Sequence, residues 1–365
     1  MPIPATPQPP YAMYSDDVLS APANYGVLQQ LEGRWVNHNP ERNSTGWGLH
    51  TTCLPSPGTN SETIFGIFHF MCEDYTEELT FTLVDRGVRN RGGTNEQFIG
   101  AVKYNQSIQR VSDGVGIHEE DGMYLWLNQM YNHPADEQSV LADNGYPGIA
   151  VGAGSNGPNF VPPSSIARSG SIPHGSSILL MGDFQEVSPG RPEFPFGPAA
   201  WQPPFLSISP SMGSAGATPE NPINLDAPAP DWVHDKSMPV TDPDGNRTYT
   251  QRILADAHYP YSVRPDLRLR DAIKDQTIKC YTVIDLSTKQ DGGPQGGVMN
   301  TPFVNRFARV TEVNARLWIE TVVEDGQEIL QLQYRQIMFF EFMFGTDGKT
   351  TRWPHIQINT LRKRG

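Results

Sequence analysis

Apolar and polar positions alternate with a period of two through most of the readable chain. Such a rhythm belongs to strands whose side chains point alternately to two faces. On alternation and on aromatic or β-branched content it predicts strands over residues 33–37, 63–71, 77–84, 98–104, 107–110, 122–127, 177–183, 276–287, 304–313, 315–323, 327–344 and 355–361. Glu324-Asp325-Gly326 and Asp347-Gly348 carry Asp-Gly turn chemistry between neighbouring strands, which is the hairpin signal. Helix signals are confined to residues 14–30, where Ser15 precedes Asp16-Asp17, and to residues 266–273. The expected class is therefore mostly β: an antiparallel up-and-down β-barrel with long irregular insertions and few short helices. We take residues 1–30 as an N-terminal extension and 31–365 as a single barrel domain.

Two stretches break the rhythm, at about 133–165 and 185–245. Both are dense in Pro, Gly, Ser, Asn and Asp, yet the second carries Phe194, Phe196, Trp201, Phe205 and Trp232. Plain linkers rarely hold so many large aromatics, so the second stretch is expected to lie ordered across the barrel. The last strand gives a reason for such a cover. His355, Gln357 and Asn359 share one face and Ile356 and Ile358 the other. If the histidine points inward, the isoleucines point outward and need covering. Pro354 fixes its own φ and holds Trp353 extended, presenting His355 rigidly at the strand entry.

Residues Trp353-Pro354-His355-Ile356-Gln357-Ile358-Asn359-Thr360-Leu361-Arg362-Lys363 resemble the last strand of the nitrobindin-like haem proteins, which runs from a histidine to a terminal Lys or Arg. Leu31-Glu32-Gly33-Arg34-Trp35 resembles the Leu-x-Gly-x-Trp opening of that family and, more loosely, of lipocalins and fatty-acid-binding proteins. Tyr334-Arg335-Gln336-Ile337-Met338-Phe339-Phe340 stands where the penultimate strand belongs. The family's Gly-x-Gly-x-Tyr-Pro segment is replaced by Gly46-Trp47-Gly48-Leu49-His50-Thr51-Thr52. What the resemblance implies is haem b as cofactor, His355 as axial iron ligand, and Trp353 and Gln357 as cofactor-binding neighbours. The second ring nitrogen of such a ligand needs a partner to fix its tautomer.

Other histidines are candidates for catalysis. His174, in Ser171-Ile172-Pro173-His174-Gly175, is held between a proline and a glycine at a strand entry and suits a distal acid–base group. A turn histidine capping the strand explains the same pattern. His50 and His38 are lesser candidates. His118-Glu119-Glu120 sits between Asp113-Gly114 and Asp121-Gly122 and reads as a solvated hairpin. Gly152-Ala153-Gly154-Ser155-Asn156-Gly157 matches a dinucleotide fingerprint only formally, since Pro158, Pro162 and Pro163 preclude the helix it requires. Gly292-Gly293 and Gly296-Gly297 read as a glycine-rich hairpin tip leading into the strand at 304–313.

Composition narrows the function classes. With 27 Lys and Arg against 40 Asp and Glu, the formal charge of −13 opposes binding to nucleic acid or an anionic membrane. Three cysteines, Cys53, Cys72 and Cys280, have neither disulfide-framework nor zinc spacing. Neither an export signal nor a membrane span is legible, so a cytoplasmic protein is expected. Two readings of function remain. One is a haem protein with an open distal face acting on nitric oxide, peroxynitrite or peroxide, as a peroxidase-like enzyme or a peroxynitrite isomerase. The other is a lipocalin-like barrel that carries an apolar small molecule without iron, His355 hydrogen-bonding the ligand.

Overall fold

The computed structural model describes residues 24–37, 46–55, 68–84, 88–90, 96–127, 130–131, 164–194, 257–262, 264–289, 296–343 and 350–364. In chain order the strands are β1 (Gly33–Asn37), β2 (Gly48–Pro55), β3 (Phe68–Leu83), β4 (Val88–Asn90), β5 (Glu96–Arg110), β6 (Gly116–Trp126), β7 (Met130–Tyr131), β8 (Ile166–Ile172), β9 (Ser176–Val187), β10 (Thr277–Ser287), β11 (Gly297–Asn300), β12 (Ala308–Glu324), β13 (Gln327–Met343) and β14 (Thr350–Arg364). A 3-10 helix spans Gly26–Leu31, and two short helices follow, α1 (Asp266–Ala272) and α2 (Pro302–Phe307).

Antiparallel pairings run β3-β2-β14-β13-β12-β10-β9-β8-β6-β5 and return from β5 to β3, closing a barrel of ten strands. β1 shares a place with β2: it pairs with the far halves of β14 and β3, with Trp35 opposite Lys363 and Leu79. Closure leaves no open edge among the ten and fixes which residues face the lumen.

The lumen is filled in layers. At one end the 3-10 helix inserts Leu28 and Leu31 as a plug, packed with Trp35, Phe81, Trp126, Leu180 and Leu361. The Leu31-Glu32-Gly33-Arg34-Trp35 motif has a local reason here. Trp35 Nε1 donates to the Leu31 carbonyl at 2.6 Å, which folds the helix back over the indole. Gly33 makes the turn between them at φ +113°, a region closed to ordinary side chains. Lys363 lies 5.7 Å from the centre of the Trp35 ring, so the two terminal motifs meet in one place.

Above the plug lies a polar belt. Glu77 accepts hydrogen bonds from the Tyr334 hydroxyl (2.7 Å), Gln106 Nε2 (2.6 Å) and Asn359 Nδ2 (2.7 Å), and Tyr334 shares a hydrogen bond with Tyr75 at 2.8 Å. Burial pushes the Glu77 carboxyl up despite these bonds. Beside it Arg168 donates to Glu120 at 2.6 Å and to Gln336 at 2.6 Å, and Tyr104 also donates to Glu120. Buried charge of this kind persists only when paired and fully hydrogen-bonded.

The outward isoleucines are covered as their alternation required. Ile356 and Ile358 pack with Leu49, Trp318, Ile337 and Phe339 under Leu269 of α1, together with Tyr261 and Phe194. Phe194 meets Trp318 edge-on at 4.8 Å, so part of the cover does come from the proline-rich stretch. The rest comes from residues 257–272, which sequence reading did not assign to it. Most of the two irregular stretches, 132–163 and 195–256, lies outside the described residues.

Several strand boundaries differ from expectation. The strands predicted at 77–84, 98–104 and 107–110 are portions of the long β3 and β5, and those at 304–313 and 315–323 merge into β12. Residues 304–307 belong to α2 instead, because Pro302 starts a helical turn at its first positions. β2 and β8 were not anticipated: His50 and two threonines in β2, and Gly170 between two serines in β8, dilute their apolar rhythm. No helix among the described residues is long and apolar enough to cross a membrane.

Candidate functional site

At the end opposite the plug, the inward rows finish in histidines. On β14 the row runs Leu361, Asn359, Gln357, His355, and on β6 it runs Trp126, Tyr124, Gly122, Glu120, His118. β2 contributes His50, paired across the ladder with Gln357, and the β8–β9 turn brings His174. The four histidines line one cavity of about 190 Å³. Ile172, Val304, Val310, Met338 and Phe340 supply its apolar wall, and Glu73, Arg110, Ser176 and Gln357 its polar one.

His355 is half-buried, yet both of its ring nitrogens are sealed from solvent and have no hydrogen-bond partner among the described residues. Its ring stacks on His50 at 4.1 Å with 20° between the planes, and on Phe340 at 5.3 Å with 26°. Burial pushes its titration well below the usual histidine range, with the neighbouring His50, His118 and His174 adding to the effect. His50 is held down to about 4 by burial and by His118, and its Nε2 also lacks a partner among the described residues. Unpaired buried polar atoms cost about 1–3 kcal/mol each. Four such atoms, His355 Nδ1 and Nε2, His50 Nε2 and Gln357 Oε1, belong to residues that line this one cavity, where a ligand would satisfy them.

His118 is tied differently. Its Nε2 lies 3.3 Å from Glu120 Oε2. Burial opposes ionisation of that carboxyl, but Arg168 and the hydrogen bonds from His118 and Tyr104 outweigh it and hold Glu120 at about 2. His174 is exposed on its turn, with its ring 5.8 Å from that of His118. Partial burial and His118 lower its titration, and the Ile117 backbone works against them.

Of the residues singled out in the sequence, His355, Gln357, His50 and His174 are thus brought together. Gln357 is buried and its Oε1 is unpartnered. Trp353 lies on β14 opposite Phe340, and His38 lies outside the described residues. The expectation of a solvated hairpin at 118–120 is corrected: the turn falls at residues 111–115, and His118 and Glu120 point into the lumen, where each is at most 9 % exposed. Glu119 alone is on the solvent side. Alternation of His118, Glu120, Tyr124 and Trp126 carried this signal, hidden by Asp121-Gly122, which resembles a turn but lies within β6. Glu73, Arg110 and Arg168 had no local signature, because only barrel closure brings them here. Among the described residues no group of three or more potential ligands is placed to hold a metal ion by itself.

Acid should destabilise the fold through the stacked pair. Folded His50 stays neutral down to about pH 4, whereas the unfolded chain takes up its proton from about pH 6.5. The stability contributed by this group is therefore present above pH 6.5 and lost as pH falls towards 4, at about 1.4 kcal/mol per pH unit. His355 acts in the same direction. Thermal melts between pH 7.5 and 4.5 should show Tm falling, with a shallower fall in His50→Phe; equal slopes in the two proteins would contradict this.

No protein-family model matches the chain, and no curated protein matches it. Among solved structures it is similar to the structure titled "Crystal Structure of Rv2717c from M. tuberculosis", at 12% identity and a TM-score of 0.36, over 94% of this chain and 100% of that one.

Proposed function

We propose that the protein is a ligand-binding β-barrel whose ligand is haem b, held through His355 in the four-histidine cavity. The observation that carries this reading is the pair of buried, unpartnered ring nitrogens on a ring clamped between His50 and Phe340. A neutral imidazole in a mostly apolar wall is the donor that haem iron takes, and burial keeps this one neutral. Gln357 Oε1, one position along the inward row on the same strand, is an acceptor with no donor among the described residues. When bound, haem would supply an iron with one position open to a diatomic or peroxide ligand. The chain's own residues would orient the imidazole, exclude water through Phe340, Met338 and Val310, and offer His118 and His174 for proton transfer.

The volume favours a second reading. About 190 Å³ is below the roughly 300–1,000 Å³ of sites for drug-sized molecules. That volume is the one bounded by described residues, which do not include 56–67 and 344–349. A smaller apolar ligand without iron, hydrogen-bonded by His355, fits the described space directly. Titration of the purified protein with hemin separates the two. A Soret band saturating near one equivalent is the expected result; free-hemin spectra throughout would leave the iron-free reading.

A further inference from the structure

Sequence patterning placed the acid–base role on His174, but the belt beneath the cavity is built around a different imidazole. We infer that His118, oriented by Glu120, is the proton acceptor and donor for ligands that enter the four-histidine cavity. This deepens the preceding reading of His355 as the ligand-holding group and rests on it.

Three observations carry the inference. His118 lines the cavity while its Nε2 faces Glu120 at 3.3 Å, which leaves Nδ1 as the ring nitrogen available to a ligand. Glu120 is itself fixed by Arg168 at 2.6 Å and by the Tyr104 hydroxyl, so the carboxylate cannot swing away. Arg168 in turn is anchored on Gln336 at 2.6 Å and lies 5.0 Å from the Tyr104 ring centre. A chain of arginine, carboxylate and imidazole sunk in a barrel lumen is an expensive way to fill space, since apolar side chains would pack there at least as stably. Its product is an imidazole with one nitrogen committed to a carboxylate and the other turned to a cavity, the arrangement that general acid–base catalysis uses. Among the described residues no carboxylate orients His174 in this way, and His174 is exposed.

The step is a simple transfer. A weak acid H–X entering the cavity gives its proton to His118 Nδ1 and continues as X⁻. The Nε2 proton stays on Glu120's side, and the imidazolium charge is balanced by that carboxylate. When X⁻ departs, Nδ1 returns the proton to it. His118 would be the catalytic residue and Glu120 a positioning residue.

Hydrogen cyanide must lose a proton to bind haem iron, and nitric oxide need not. In the hemin-loaded protein, stopped-flow association of cyanide should slow by about 10²–10⁴-fold in His118→Gln while nitric oxide association stays unchanged. Glu120→Gln and His174→Ala should each slow cyanide less than His118→Gln does. Equal slowing of both ligands in His118→Gln, an unchanged cyanide rate, or a loss confined to His174→Ala would each overturn the assignment. If the wild type takes up no hemin, the reading of the preceding subsection fails by itself, and the dyad is then decided in the ligand-free protein. There, ¹⁵N shifts of the His118 ring should report the Nε2–H tautomer and lose that signature in Glu120→Gln. An Nδ1–H tautomer in the wild type would overturn the inference.

Discussion

Arg168→Met should cost about 3–5 kcal/mol of folding stability, the range for removing one partner of a buried ion pair. Arg168 is 5 % exposed and Glu120 1 %, and the arginine supplies the only cationic guanidinium within hydrogen-bond reach of that carboxylate among the described residues. Methionine replaces the volume of the stem but leaves a carboxylate in the lumen with only Tyr104 and His118 as donors. Folding would then either bury an uncompensated charge or force Glu120 to take up a proton. Urea denaturation at pH 7 measures the cost. The double variant Arg168→Met/Glu120→Gln should recover much of it, because the charge that made the loss severe is gone. A single-variant loss below about 1 kcal/mol, the scale of an exposed pair, would mean that the belt is wet and the pair screened.

The same belt shows where sequence reading succeeds and where it stops. A closed antiparallel barrel repeats one rule on every strand, so alternation alone sufficed to set His355, Gln357 and Asn359 on one face and Ile356 and Ile358 on the other, and closure makes the first face the inner one. The opening motif was legible for a similar reason: helix plug, turn glycine and core tryptophan are consecutive in sequence. Lumen chemistry is not local. Glu77 is answered by Tyr334, Gln106 and Asn359, which stand 257, 29 and 282 positions away. Nothing near Glu77 in sequence distinguishes it from an exposed glutamate such as Glu78, its neighbour on the solvent face. His118 was misplaced because two Asp-Gly pairs flank it and only one is a turn. Gly122 stays within β6, where Tyr104 and Ser169 leave no space for a β-carbon.

His355→Phe should abolish ligand binding and at the same time stabilise the ligand-free protein. The two effects have one origin. In the ligand-free barrel, Nδ1 and Nε2 are both buried without partners among the described residues, a cost of about 1–3 kcal/mol for each unsatisfied group. Phenylalanine keeps a planar ring between His50 and Phe340 and removes both nitrogens. Its larger ring would cost about 1–3 kcal/mol in a tightly packed core, but the adjoining cavity of about 190 Å³ gives it room to shift. Removal of the orphaned nitrogens should therefore win, raising Tm and moving the urea midpoint upward without a change of slope. Acid sensitivity should fall as well, since one group that must stay neutral on folding has gone. Hemin added to the variant should keep its free spectrum. A residue kept for packing would behave oppositely, losing stability on replacement. A His355→Phe protein that is less stable than the wild type by more than about 1 kcal/mol would therefore remove the main support for His355 as the ligand-holding group.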